Sequence, residues 1–309
     1  MPDPERGIVR LAAIPPFDFE LSAHIFSEGD RQIRAFDSGR FWQVLRAGDS
    51  LVHVSIISEG TTDRPVVAAE LSSIEDLWKE ERASTVDQVR SMFNLGLDLR
   101  PFYEEASHDP VLSELTVRLR GLKPPRTPSV YEALVDSVIE QQISLAVART
   151  LQNRMVRKFG DRLDIDGASY FTFPSPQELA HLPVEELRAI GVSGKKAEYI
   201  RDVSRMVTEG SLDLEGLKGR EETESIVDEL TSIRGIGRWT AELVIMRGMG
   251  RFEVIPADDL GVRRIVSHFY FGGKNTSGKD VRSLAEGWGP RRGMASYYLI
   301  VAERLGLQP

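Results

Sequence analysis

The 309-residue chain contains no cysteine. That absence excludes a disulfide framework, a thiolate zinc site, an iron–sulfur cluster and a thiol nucleophile. No apolar run approaches the ~18 to 20 residues of a membrane span, and the start, MPDPERGIVR, is charged and Pro-bearing where a secretory leader would carry a continuous apolar stretch. The expected setting is therefore cytoplasmic, away from any membrane. Histidine is scarce too, and the five present are scattered, with none paired at metal-ligand spacing, so no metal centre is expected. Basic charge is in deficit: 39 Lys and Arg against 47 Asp and Glu leave a net charge of −8, a poor balance for gripping nucleic acid by bulk electrostatics. The deficit is uneven. Residues 1–230 carry −13 and residues 231–309 carry +5, which confines any basic surface to the C-terminal quarter.

What is present fits an ordinary globular chain, 41% hydrophobic and 28% charged, long enough for two or three cores. Over the first ~75 residues apolar side chains fall at about every second position in Gly7–Ala13, Ile33–Phe36, Phe41–Ala47 and Ser50–Ser58, with Gly/Asp/Ser turns between them and a short helix at Phe19–Phe26. After Leu77 the period becomes helical. The pattern predicts helices from Thr85 onward, including a continuous one at Ser129–Phe159, two Pro-initiated ones at Pro176 and Pro183, and others at Thr223–Ser232, Thr240–Met246, Leu260–Phe269 and Met294–Leu305. The fold class expected is α+β: an antiparallel-sheet domain over 1–88, then an all-α region over 89–309.

Between two of the helical stretches lies Ile233-Arg-Gly235-Ile-Gly237-Arg-Trp-Thr-Ala241. Two glycines around one aliphatic residue make a tight turn whose N–H groups, with those of the next helix start, are free to bind an anion. A phosphate held this way needs few lysines, and Arg234 and Arg238 flank the turn. An ordinary helix-to-helix turn would look similar. Further on comes Pro256-Ala-Asp258-Asp259-Leu, which reads first as a helix N-cap, one Asp capping and the other complementing the helix dipole. One cap does not account for two acids next to an anion-binding turn in the only basic part of the chain.

At this point the sequence resembles the helix-hairpin-helix DNA glycosylases, and within them the 3-methyladenine DNA glycosylase II group. The resemblance is carried by Leu230-x-x-Ile-x-Gly-Ile-Gly-Arg-Trp-Thr-Ala-Glu, by Pro256-Ala-Asp-Asp-Leu and by Trp288-Gly-Pro-Arg-Arg-x-x-Ala. It extends to Ser137-Val-Ile-Glu-Gln-Gln-Ile-Ser, Phe173-Pro-Ser-Pro-Gln-Glu-Leu, Leu187-Arg-Ala-Ile-Gly and, faintly, Pro15-Pro-Phe-Asp-Phe, in the family's order over nearly the whole chain. It implies an N-terminal sheet domain of the TBP-like kind and a two-lobed helical glycosylase domain, with the helix-hairpin-helix at about 223–246.

The resemblance further implies that Asp259 is the catalytic carboxylate, leaving Asp258 as the N-cap. The family's strand-cutting members carry a Lys nucleophile two residues after the second hairpin glycine, where this chain has Trp239, so base release without strand cleavage is expected. Trp239, Phe26, Tyr297, Tyr298 and Arg304 are candidates for the wall of a base pocket. Gln142 matches the wedge that fills the gap left by a flipped-out base, and Arg234, Gly235, Gly237, Arg238 and Thr240 would meet the DNA backbone. The relatives' pocket aromatics are not all kept, Ile300 and Leu243 standing at two of those positions. The implied partner is damaged double-stranded DNA, bound by a monomer in a prokaryotic, nucleoid-associated setting. No cofactor is required, although a monovalent cation at the hairpin carbonyls is implied by the family. Two other readings stay open: a bifunctional oxidised-guanine glycosylase/lyase, and a non-catalytic helix-hairpin-helix DNA-binding protein.

Overall fold

The computed structural model describes residues 5–308; the start at 1–4 and Pro309 lie outside them. Five antiparallel strands, β1 (Glu5–Ala12), β2 (Arg34–Asp37), β3 (Arg40–Ala47), β4 (Ser50–Ser58) and β5 (Val66–Ser73), form one sheet in the order β1-β5-β4-β3-β2. Alternation sets its register: Val52, Val54 and Ile56 of β4 turn to one face, where Ile56 opposes Phe41 and Val52 opposes Leu45. Helices α1 (Phe19–Ala23) and α2 (Lys79–Met92) accompany that face, and Phe17, Phe19, Val89, Met92, Phe93 and Leu95 complete its core. The domain edge expected at residue 88 thus falls inside α2, whose last turn is part of the sheet domain's core.

β5 escapes a reading based on alternation for a physical reason. It lies between β1 and β4, and most of its residues on both faces are buried, so residues 66–69 are apolar throughout and only Glu70 and Ser72 alternate with apolar neighbours, too short a run to read. The helical region likewise departs from the all-α expectation. β6 (Arg162–Ile165) and β7 (Ala168–Phe171) form a hairpin turned by Asp166-Gly167, both at positive φ, as the Asp-Gly pair favours. Its Leu163 and Ile165 pack with Val44 on the sheet's other face.

The remaining helices build two lobes. The first gathers α5 (Val130–Glu140), α6 (Leu145–Phe159), α7 (Pro176–Ala180), α8 (Val184–Ala189), α9 (Gly194–Thr208), α10 (Thr223–Ser232) and α11 (Arg238–Val244) around one core. The second joins α3 (Arg100–Ala106) and α4 (Pro110–Arg118) to α12 (Leu260–Tyr270), α13 (Gly278–Glu286) and α14 (Arg292–Arg304). α3 has only two buried residues, Phe102 and Ala106, too few for a periodic signal. Met246, in the π-helical turn Ile245–Met249 that continues α11, touches both cores. The long helix expected over 129–159 is broken at 141–144: Gln142 adopts φ 55°, and Ser144 caps α6 through its hydroxyl.

The sheet domain is fastened to the helices by Lys123, which is fully buried. Its ammonium donates to the carbonyls of Ile14 (2.8 Å) and Leu95 (3.3 Å) and lies 5.2 Å from the Phe17 ring. Burial lowers its pKa to about 8, against a smaller opposing pull from Asp98. Between pH 8 and 10.5 the unfolded chain therefore binds the proton more readily than the folded one, and stability rises with pH through this group. Relative to Lys123→Met, the wild type is expected to gain on the order of 2 kcal/mol between pH 8 and pH 10 in urea unfolding; parallel pH profiles would refute this.

Candidate functional site

The glycine hairpin links α10 to α11. Gly235 has φ 90°, and a Cβ there would lie 2.3 Å from the Tyr199 ring of α9, so both conformation and space demand glycine. Gly237 is the N-cap of α11, has no capping side chain and faces open space. The turn is held from behind by Gln141, the C-cap of α5, whose side-chain amide donates to the Gly235 carbonyl (2.9 Å) and the Thr240 hydroxyl (3.1 Å). Lys196 of α9 in turn donates to the carbonyls of Ile139 (2.8 Å) and Gln141 (2.6 Å), satisfying the end of α5. Thr240 is consequently buried and engaged, and its hydroxyl is not a DNA-facing group as the sequence suggests.

Arg234 and Arg238 are exposed, and each is paired within the chain. Arg234 meets Glu198 at 2.9 Å and Asp202 at 3.6 Å and sits over Tyr199; Arg238 meets Glu224 at 2.8 Å and Glu242 at 3.0 Å. Glu242 is the buried member of this set, 1% exposed, and also takes Arg282 of α13 at 2.9 Å, while Arg282 reaches Asp258 at 2.7 Å. Burial raises the pKa of Glu242, and hydrogen bonds from Arg282 and Arg238 oppose that rise. Little in the sequence marks Glu242 as buried. Its position four residues after Arg238 is the single clue.

The acid pair divides its work differently from the expectation. Asp259 is the N-cap of α12: its Oδ1 accepts from Gly261 N (2.8 Å) and Val262 N (3.0 Å). Asp258 is exposed and bonded to Arg282, so it is not the cap. The other Asp259 oxygen, Oδ2, accepts from the Trp239 indole N–H at 3.0 Å. This bond crosses from the first lobe to the second, and it sets the half-buried Trp239 ring next to the carboxylate. Leu260, beside Asp259, is exposed, as are Leu145 and Val147 at the start of α6. Leu145 and Val147 follow shortly after the Gln142 apex, which is itself exposed.

Of the other wall candidates, Tyr297 is partly buried, with a hydroxyl that has no hydrogen-bond partner and whose pKa burial pushes up. Phe26 is half-buried against Phe41, with Arg34 over its ring. Arg304 is partly exposed and 3.6 Å from Glu28. Tyr298 is different: it is fully buried in the second core, donates to the Leu122 carbonyl at 2.9 Å and packs on Phe102. It is a core residue, placed there by the helical step of about 100° from Tyr297. Arg247, unremarked in the sequence, donates to Glu140 at 2.7 Å. Burial works against its charge, but Glu140, Asp136 and Asp259 outweigh that and raise its pKa. Among the described residues no cluster of His, Asp or Glu is arranged to hold a metal ion, and no helix is long and apolar enough to cross a membrane.

A glycine hairpin clamped beside an interlobe carboxylate defines a helix-hairpin-helix protein. Residues 135–291 match the model of the HhH-GPD superfamily base excision DNA repair protein. The chain is 31% identical over 289 residues to the DNA-3-methyladenine glycosylase of Bacillus subtilis (strain 168), covering 92% of this chain and 94% of that one. The solved 3-methyladenine DNA-glycosylase from Archaeoglobus fulgidus superposes with a TM-score of 0.84 at 30% identity, over 96% of this chain and 98% of that one. The Schizosaccharomyces pombe 3-methyladenine DNA glycosylase, solved in complex with abasic DNA, superposes with a TM-score of 0.58 at 25% identity, over 68% and 99%. The chain belongs to the HhH-GPD superfamily of base excision DNA repair proteins.

Two substitutions test the hairpin's construction. Gln141→Ala is expected to cost about 1–2 kcal/mol of stability by orphaning a buried hydroxyl and a carbonyl, and to speed hydrogen exchange at residues 233–240. Gly235→Ala is expected to cost more, because relief at Tyr199 would leave the positive φ unrelieved. If Gly235→Ala in a Tyr199→Ala background matched Tyr199→Ala alone in thermal unfolding, the φ argument would fail.

Proposed function

We propose that the protein hydrolyses the N-glycosidic bond of alkylated or deaminated purines flipped out of duplex DNA, leaving an abasic site. The observation that carries this reading is the Asp259 carboxylate, immobilised by three hydrogen bonds beside the open Trp239 ring. As the bond between C1′ and the base nitrogen breaks, its electron pair leaves with the base and positive charge builds on the sugar. A fixed carboxylate stabilises that charge and orients the water that adds to C1′. An electron-rich indole suits stacking on a cationic alkylated purine.

Base release without strand cleavage follows from the same helix. Trp239 stands where a Schiff-base lysine would be needed and has no amine to offer. The exposed Gln142, at the apex between α5 and α6, is the wedge in this reading, with Leu145 and Val147 as its apolar flanks. The hairpin N–H groups grip a phosphate, and Arg234 and Arg238 exchange their internal carboxylates for it, which makes binding only mildly salt-dependent. The carbonyls of Ile233 and Gly235 already accept from Ile236 N and Gln141. Each keeps a second lone pair, so a monovalent cation could share them; it would help hold the phosphate, and no chemical step runs through it. The protein is read as a monomer working at the nucleoid.

Asp259→Asn is expected to lower base release at least about 100-fold while duplex binding survives, since Asn is also a good N-cap and the fold should stand. Release is to be measured on duplexes carrying 3-methyladenine, 1-methyladenine, hypoxanthine or 8-oxoguanine. Full activity in the variant would sink the assignment. A covalent adduct trapped by borohydride in the wild type would favour the lyase reading instead.

A further inference from the structure

Along one face of α5, Glu132, Asp136 and Glu140 follow each other at four-residue spacing, about one helical turn apart. Glu132 is 4% exposed and pairs with Arg34 of β2 at 3.1 Å. Glu140 is 11% exposed and pairs with Arg247 at 2.7 Å. Asp136, between them, has a buried Oδ1 with no hydrogen bond. Three carboxylates against two guanidiniums leave this strip one negative charge in surplus. A buried surplus charge is costly, so the strip calls for either a proton or a cation. Burial, and then Glu132, raise the Asp136 pKa well above the usual carboxylate range; Arg34 and Arg247 pull it down and Glu140 adds to the rise.

The strip borders a cavity of about 150 Å³ lined by Phe26, Arg34, Gln43, Glu132 and Asp136 among others. Gln43 of β3 is 5% exposed, and its Oε1 is buried without a partner. Two idle acceptors thus belong to one cavity, and buried polar atoms are rarely left idle. The cavity's other charged groups are already committed: Arg149 to Glu28 at 2.8 Å, and Asp30 to Arg157 at 2.7 Å. Two contacts tie this strip to the base site: Phe26, a candidate wall of the base pocket, lines the cavity, and Arg247, which holds Glu140 at 2.7 Å, lies in the turn that continues the helix carrying Trp239.

We propose that Asp136, assisted by Gln43, is a specificity-determining residue that selects extruded bases carrying a positive charge and an exocyclic amine. The proposal rests on the glycosylase reading of Asp259. As the cationic base enters, Asp136 gives up its proton to solvent; Asp136 and Gln43 then accept from the amine, and the surplus negative charge so uncovered balances the alkylated ring. Hypoxanthine is neutral and has a carbonyl where adenine has its amine, so it offers neither. The two acids act at different stages. On cleavage the electron pair of the glycosidic bond neutralises the base, the positive charge passes to the sugar, water adds to C1′ and a proton is released. Asp136 therefore strengthens binding of the charged substrate, whereas Asp259 lowers the barrier.

The test compares wild type with Asp136→Asn on duplexes carrying 1-methyladenine or hypoxanthine, reading duplex affinity and single-turnover rate separately. Asp136→Asn is expected to weaken binding of the 1-methyladenine duplex about tenfold or more, leave the hypoxanthine duplex unchanged, and alter the rate at saturation only a few-fold. Gln43→Leu, which preserves the charges, should weaken the same duplex by a smaller factor and serves if the first variant does not fold. Equal losses on both duplexes, or no loss on 1-methyladenine, would overturn the proposal while leaving the glycosylase reading in place. Release of neither base by the wild type, or undiminished release by Asp259→Asn, would overturn that reading and this one with it.

Discussion

One carboxylate ties the two helical lobes together at the point where chemistry is proposed. Asp259 spends Oδ1 on the first turn of α12 and Oδ2 on the indole of α11, so its position is over-determined from both lobes. A side chain on a flexible loop would lose orientation with every fluctuation of the lobes. Here the two bonds that cap a helix, together with the indole bond, also aim a functional group, and the energy of capping is spent on pre-organisation. Asp258 contributes indirectly: through Arg282 it is joined to the buried Glu242 of α11. The loop that delivers Asp259 is thus anchored to the hairpin helix by a second, ionic route.

These pairings also resolve an apparent conflict in the charge balance. An acidic chain can offer a nucleic-acid surface if its cations are pre-positioned and its anions are committed. Arg234 and Arg238 sit on the hairpin with carboxylate partners that hold their orientation at little energetic gain, since exposed pairs contribute about 0–1 kcal/mol. On the proposed reading, a phosphate arriving at the turn would meet guanidiniums already in place. Deeper in, the arithmetic reverses, and the α5 strip has more anions than its cations can match.

How much of this was legible beforehand depended on whether a signal was local. The hairpin glycines, the acid pair and four of the five strands of the sheet declare themselves through short-range chemistry: turn conformations, capping and alternation. β5 did not, because a strand buried on both faces has little alternation to show. The capping assignment was reversed between Asp258 and Asp259 because both orders satisfy the same local rule, and only the distant Arg282 and Trp239 decide between them. Tyr297 and Tyr298 are adjacent in sequence, yet one lies at the edge of the second core with its hydroxyl unpartnered and the other fills that core; their separation is a matter of helix rotation against a neighbour. Glu242 has one local clue in Arg238, but its partner Arg282, like Glu140 for Arg247 and Arg34 for Asp136, lies tens of residues away, and no pattern along the chain encodes that.

The two glutamines between α5 and α6 are chemically alike and structurally opposite. Gln141 turns inward to grasp the hairpin, and Gln142, at φ 55°, stands out at the apex. A single peptide bond separates the residue that fixes the glycine turn from the residue proposed to enter the base stack. On the proposed reading the pair would work as a ruler: the offset between the gripped backbone and the probed base step would be set by covalent geometry, and it could not drift when the lobes breathe.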